Sequence, residues 1–117
     1  EQSPSILLQG MEGARIPVVV SHGEGRASFI DPAHQAQARV ALRYVGADGS
    51  AAPTYPFNPN GSVDAIAGLT SMDGRATLMM PHPERVFRTI QLSWAPASWN
   101  EASPWLRMFR NARVWVD

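Results

Sequence analysis

Two side chains within residues 79–88 have the types and the spacing of a catalytic pair. His82 and Glu84 are separated by one residue, in the string Pro81-His82-Pro83-Glu84. Each proline pushes the residue before it towards extended geometry, in which residues i and i+2 project to the same side. We therefore expect the imidazole and the carboxylate to lie together. Such a carboxylate fixes the imidazole tautomer and stabilises the imidazolium that forms when the ring takes a proton from a nucleophile.

A β-strand is predicted directly before this pair. Between Arg75 and Pro81, Ala76, Leu78 and Met80 alternate with two residues of the opposite face, which is the period of a sheet. The prolines at 81 and 83 remove two backbone donors, so the strand ends there. The pair is thus placed at the end of a strand. A His-x-Glu pattern by itself also occurs in exposed loops, and the pattern does not indicate which residue is the nucleophile.

The wider string around His82 resembles the end of the glutamine amidotransferase domain of phosphoribosylformylglycinamidine synthases, which are enzymes of purine biosynthesis. Pro-His-Pro-Glu alone indicates the class I glutamine amidotransferases in general. The Asn-Pro-Asn-Gly-Ser string at 58–62 and the Arg-Met-Phe-Arg-Asn-Ala-Arg string at 107–113 are similar to the synthase in particular. The likeness also covers residues 3–11, 20–26, 41–45 and 55–57, in order along most of the chain.

The absence of cysteine has a specific consequence within this resemblance. A chain without cysteine has no disulfides and no thiolate metal sites. The resemblance implies a cysteine nucleophile on a strand-to-helix turn, upstream of the segment that corresponds to Glu1. We therefore expect residues 1–117 to be the carboxyl-terminal portion of a glutamine amidotransferase domain, without the half that bears the nucleophile. His82 would be the general base of the triad and Glu84 the carboxylate that orients it.

A second candidate site follows the apolar, β-branched run at residues 16–21, which predicts a buried strand. Two glycines surround a carboxylate in Ser21-His22-Gly23-Glu24-Gly25, and glycine permits close backbone approach to a ligand. The pattern is equally typical of a tight hairpin turn. The resemblance implies that this loop contacts bound glutamine, with Ser21, His22, Gly23 and Glu24 as substrate contacts and Glu24 suited to the ammonium group.

Charge and composition limit the partners. Ten basic and ten acidic residues cancel, so no overall field attracts nucleic acid or an anionic membrane. The apolar runs are too short to cross a bilayer. The resemblance implies a cytoplasmic enzyme whose partners are glutamine and the remainder of the same polypeptide, with no nucleic acid and no membrane. It implies no cofactor and no metal in this chain, since ATP and magnesium belong to synthetase domains that lie outside it.

The remaining pattern predicts an α/β fold with about five strands in a mixed sheet and short flanking helices. The resemblance implies that this is part of a class I amidotransferase domain, which is flavodoxin-like. A proline-rich irregular loop at 51–62 is expected beside the active site or against the synthetase core, and tryptophans at 94–105 are expected to cover apolar surface. Helices are predicted at 3–10, 31–38 and from Ser103 onwards, and strands at 16–21, 26–30, 40–45, 63–70 and 75–80, with the last two strands paired as a hairpin. The polar face of the last helix, with arginines at 107, 110 and 113 and Asn111, is expected to be solvated or to meet an acidic surface on the rest of the enzyme.

Two alternatives remain open from the residues alone. The chain is also compatible with a non-catalytic interaction domain, in which His82 and Glu84 are a relic and the tryptophan-rich segment is a docking surface. A metal site formed by His22, His34 and His82 is a weaker alternative, because their spacing lacks the regularity of known ligand motifs. His34 has no neighbour in sequence with which to act, so we predict that it lies on the surface.

Overall fold

A three-stranded antiparallel sheet forms the centre of the structure, a computed structural model that describes residues 1–21, 23 and 25–117. The strands are β1 (Arg39–Arg43), β2 (Ile66–Thr70) and β3 (Thr77–Met79), in the order β1-β2-β3. β2 and β3 form the predicted hairpin, with Leu69 opposite Leu78. Asp73 closes its turn by accepting hydrogen bonds from the backbone of Arg75 and the hydroxyl of Ser71.

The α/β class with short flanking helices is confirmed, but the sheet is smaller than predicted. It has three antiparallel strands among the described residues, in place of about five in a mixed sheet. Among the described residues, the predicted strand at 16–21 makes one backbone bond to another segment, in which the Val19 carbonyl accepts from the His82 N–H (2.8 Å). The predicted strand at 26–30 likewise makes one, from Val63 N–H to the Ala27 carbonyl (3.3 Å). One bond does not make a ladder, so both segments remain outside the sheet.

The described residues form two α-helices. The first, α1 (Pro32–Gln37), begins as predicted, because the Asp31 carboxylate caps it by accepting from Ala33 N–H (2.7 Å). The second, α2 (Leu106–Val116), begins later than predicted, because Pro104 and Trp105 form a turn before it. None of the helices in the described part of the chain is long and apolar enough to cross a membrane.

The helix predicted at 3–10 is absent, and a series of turns takes its place. The carbonyls of Ser5 and Leu8 each accept a hydrogen bond from the backbone N–H three residues later in the chain, as in single turns. The N–H of Ile6 instead donates to the carbonyl of Gly74 in the β2–β3 turn (3.0 Å). Gly74 has a positive φ of 73°, and a Cβ there would meet the carbonyl of Pro4. This tertiary contact holds the segment against the hairpin and overrides the local helix signal.

The core of the described residues has two parts, and Leu42 of β1 packs against both. Leu8, Ala41, Val86 and Trp105 form the first cluster, in which Val86 is fully buried. Tyr44, Ala52, Ala65 and Ala67 form the second. Trp105 is buried as predicted and its indole N–H donates to the Pro17 carbonyl (2.8 Å). Trp94 does not cover the apolar surface, since it is 67% exposed.

The face of α2 that was predicted to be solvated makes several polar contacts. The Asn111 amide donates to the carbonyls of Leu7 and Gln9, at 2.9 Å each, and Arg107 donates to Gln9 (3.1 Å). These carbonyls are free to accept because the predicted helix at 3–10 does not form. Further along the helix, Arg113 is exposed as predicted and forms an ion pair with Asp117.

Candidate active site

The structure brings His82 and Glu84 together. The imidazole Nδ1 lies 2.7 Å from a carboxylate oxygen of Glu84, and both side chains are partly open to solvent, at 31% and 55% exposure. The geometry differs from the predicted extended segment, since Glu84 lies in a single 3₁₀ turn (Pro83–Arg85) that follows His82. The two side chains contact each other across the start of this turn. Their predicted proximity is confirmed, although the backbone between them is not extended.

Buried neighbours hold this turn in place. Pro81 and Pro83 are both buried and flank His82 on each side. Val86, the residue after the turn, is fully buried, and its carbonyl accepts from the Ser103 hydroxyl. The His82 N–H donates to the Val19 carbonyl. The backbone of the pair is thus anchored before, within and after the turn, while the side chains face outwards.

The charge on the pair suits base catalysis. The hydrogen bond from His82 lowers the pKa of Glu84 below its ordinary value of 4.5, because the bond stabilises the ionised carboxylate. With Nδ1–H donated to this carboxylate, the proton-accepting lone pair of the ring is on Nε2. Nε2 is not held by any hydrogen bond to a described residue. The arrangement can take a proton from a thiol or hydroxyl presented to Nε2 and return it to a leaving group.

The loop predicted to contact substrate is only partly described. Ser21 and Gly23 are exposed, whereas His22 and Glu24 lie outside the described residues. The bond between Val19 and His82 places the segment that leads into this loop beside the candidate base. Ser21 follows Val19 by two residues, so the two candidate sites adjoin each other along this segment. Its assignment as a substrate-binding loop stays a prediction.

The loop at 51–62 contacts residues 25–27, which follow the residues predicted to bind substrate. The Asn60 amide donates to the Gly25 carbonyl (3.0 Å), and the Ser62 hydroxyl accepts from the Ala27 N–H (3.0 Å). The prediction that the loop at 51–62 lies beside the active site was based on the resemblance to the synthase. No spacing rule in the sequence pairs Asn60 with Gly25, 35 positions away. The contact could be found only from the folded chain.

The other histidine whose position is described stands apart from this site. His34 is exposed on α1, as predicted. Among the described residues, no group of three or more His, Asp or Glu side chains is placed to hold a metal ion. The proposed three-histidine metal site includes His22, which lies outside the described residues.

Comparison with known protein families agrees with this geometry. A model of the CobB/CobQ-like glutamine amidotransferase domain family matches residues 1–116, which is nearly the whole chain. The family hydrolyses or transfers the amide of glutamine, as its description implies, and a histidine–carboxylate pair at the end of a sheet provides suitable acid–base groups. The match and the geometry at His82 lead to one conclusion: the chain belongs to the CobB/CobQ-like glutamine amidotransferase domain family.

Proposed function

We propose that this chain is part of the glutaminase domain of a phosphoribosylformylglycinamidine synthase, and that it supplies the histidine and glutamate of a Cys-His-Glu triad. The observation that carries the proposal is the 2.7 Å contact between His82 Nδ1 and Glu84, in a member of an amidotransferase family. The strings at 58–62 and 107–113 support the synthase over other amidotransferases.

The chemistry follows from the roles of the two side chains. Since the chain has no cysteine, the thiol comes from a segment outside these 117 residues. Nε2 of His82 takes the thiol proton, and the thiolate attacks the side-chain amide carbon of glutamine. The same proton passes from His82 to the departing nitrogen, which leaves as ammonia and a thioester remains. His82 then takes a proton from water, whose oxygen attacks the thioester, and returns the proton to sulfur as glutamate leaves.

Glu84 takes no proton in this scheme. Its carboxylate keeps Nδ1 protonated, directs Nε2 towards the thiol and stabilises the imidazolium formed after each proton transfer. Ser21, His22, Gly23 and Glu24 are proposed to bind the amino-acid end of glutamine. The ammonia is used for the ATP-dependent amidination of formylglycinamide ribonucleotide, in cytoplasmic synthetase domains that hold ATP and magnesium.

The test is the His82→Ala variant of the complete enzyme that contains this chain. Synthesis with glutamine should fall by about 10²- to 10⁴-fold, the usual contribution of a general base, while synthesis from added ammonia persists. His34→Ala is the matched control, because it removes an exposed histidine on α1 and should leave both activities unchanged. An equal fall of the glutamine-dependent and ammonia-dependent rates in His82→Ala would contradict the assignment of His82 as the base.

A second candidate function is supported by the exposed aromatic residues. Trp94 and Trp115 are more than half exposed, and the chain has no nucleophilic thiol of its own. Both facts fit a non-catalytic interaction domain in which His82 and Glu84 no longer act. The two functions differ in one measurement, because only the catalytic function requires the glutamine-dependent rate to depend on His82.

A further inference from the structure

Three hydrogen bonds among the described residues join the segment at 25–27 to residues 60–63. Asn60 donates its side-chain amide to the Gly25 carbonyl at 3.0 Å. The Ser62 hydroxyl accepts from the Ala27 N–H at 3.0 Å, and the Ala27 carbonyl accepts from the Val63 N–H at 3.3 Å. Two of these bonds use side chains, so substitution can remove them without changing the backbone.

The loop that provides these side chains is itself rigidly built. Asn58 is 1% exposed, and its amide donates to the carbonyls of Ala52 and Ser62, at 3.1 and 2.9 Å. Its carbonyl oxygen accepts from the Ser62 N–H at 3.0 Å. One buried side chain thus ties both ends of the loop together. Asn60 and Ser62 lie within four residues of Asn58 in the chain. Their positions are therefore fixed by the bonds of Asn58, and they offer hydrogen-bonding groups at fixed positions to Gly25 and Ala27.

We propose that Asn60 and Ser62 are positioning residues for glutamine binding, which fix the backbone at Gly25 and Ala27 directly after the residues proposed to contact glutamine. The proposal rests on the proposed function, in which residues 21–24 contact the amino-acid end of glutamine. Glycine permits more backbone conformations than any other residue, so fixing the backbone at Gly25 costs conformational entropy. The bonds from Asn60 and Ser62 fix this backbone before glutamine binds. Part of the entropy cost is then absent from binding, so the affinity for glutamine is higher.

The two side chains act on binding rather than on proton transfer. The bonds of Asn60 and Ser62 to the segment at 25–27 end at Gly25 and Ala27, whereas the His82–Glu84 turn has separate anchors in Val19 and Val86. Loss of these bonds of Asn60 and Ser62 should therefore raise KM for glutamine and leave kcat close to its original value. Synthesis from added ammonia bypasses the loop and should be unaffected.

The test is Asn60→Asp in the complete enzyme. Aspartate has the shape of asparagine but places an oxygen where the amide donates, so the bond to the Gly25 carbonyl is lost. KM for glutamine should rise about 2- to 10-fold, the range that follows from the loss of one hydrogen bond. Ser62→Ala, which removes the acceptor of the Ala27 N–H, should raise KM in the same direction. Asn100→Asp is the matched control, since it makes the same change at an exposed asparagine and should leave KM unchanged.

The outcomes separate this proposal from the function on which it rests. An unchanged glutamine KM in both Asn60→Asp and Ser62→Ala would overturn the positioning role, even if His82→Ala abolishes the glutamine-dependent rate. An equal loss of glutamine-dependent and ammonia-dependent synthesis in Asn60→Asp would also overturn it, because general damage to the domain would then explain the effect. Retention of the glutamine-dependent rate in His82→Ala would instead refute the proposed function.

Discussion

Asn58 offers the sharpest test of how the irregular loop at 51–62 is held. Its side chain is almost fully buried and makes three hydrogen bonds to backbone groups of Ala52 and Ser62. Replacement by alanine removes all three. At about 0.5–1.5 kcal/mol for each bond, the expected loss in the free energy of unfolding is about 3 kcal/mol. This loss is large for a surface loop, because the buried backbone groups are left without partners.

Urea unfolding of the chain at low protein concentration, followed by tryptophan fluorescence, measures this loss. With a slope of about 1.5 kcal/mol per molar urea, typical of a small domain, the midpoint of Asn58→Ala should fall by about 2 M. Asn100→Ala is the control, since Asn100 is exposed, and should shift the midpoint by less than about 0.5 M. If the two variants unfold at the same urea concentration, the side chain of Asn58 does not hold the loop and the reasoning fails.

Four further predictions address the site and the whole chain. The lowered pKa of Glu84 means that its bond to His82 persists at pH above 4.5 and is lost as the pH falls through the lowered value, which NMR titration of the Glu84 side-chain carboxyl carbon would follow. Trp105→Phe removes the indole donor to Pro17 and leaves a cavity, so the free energy of unfolding should fall by about 1–3 kcal/mol in thermal denaturation. The chain by itself should release no glutamate from glutamine and resist labelling by a glutamine-analogue electrophile, because it has no cysteine; glutamate release that disappears in His82→Ala would contradict this. With zero net charge and exposed apolar side chains such as Ile30 and Ile90, the chain should self-associate at neutral pH, whereas a monomer in light scattering would count against that expectation.

Local signals in the sequence were sufficient where neighbouring residues determine the structure. The Asp31-Pro32 pair predicted the start of α1, and the alternation at 75–80 predicted β3 and its hairpin with β2. The spacing of His82 and Glu84 predicted their contact, although the turn between them is tighter than expected. In each case the residues that decide the conformation lie within a few positions of one another.

The sequence was insufficient where distant segments decide the structure. The helix signal at 3–10 is overridden by the bond from Ile6 to Gly74, and strand propensity at 16–21 does not supply a neighbouring strand. The polar face of α2 was interpreted as solvated, because nothing in the pattern shows that Asn111 would meet the carbonyls of Leu7 and Gln9. The link from Asn60 to Gly25 was missed for the same reason, since it joins two irregular segments.

The anchoring of the His82 turn has a consequence for the order in which the protein acquires its structure during synthesis. Val86 is held by the Ser103 hydroxyl, and Trp105 donates to Pro17, two residues before the carbonyl that accepts from His82. Residues near both ends of the chain therefore complete the surroundings of the base. Chains fold as they leave the ribosome, amino end first. We expect the imidazole and carboxylate to leave the exit tunnel before Trp105 and to gain their final support only after Trp105 has followed, so that a nascent chain arrested between these points would carry both side chains without this support.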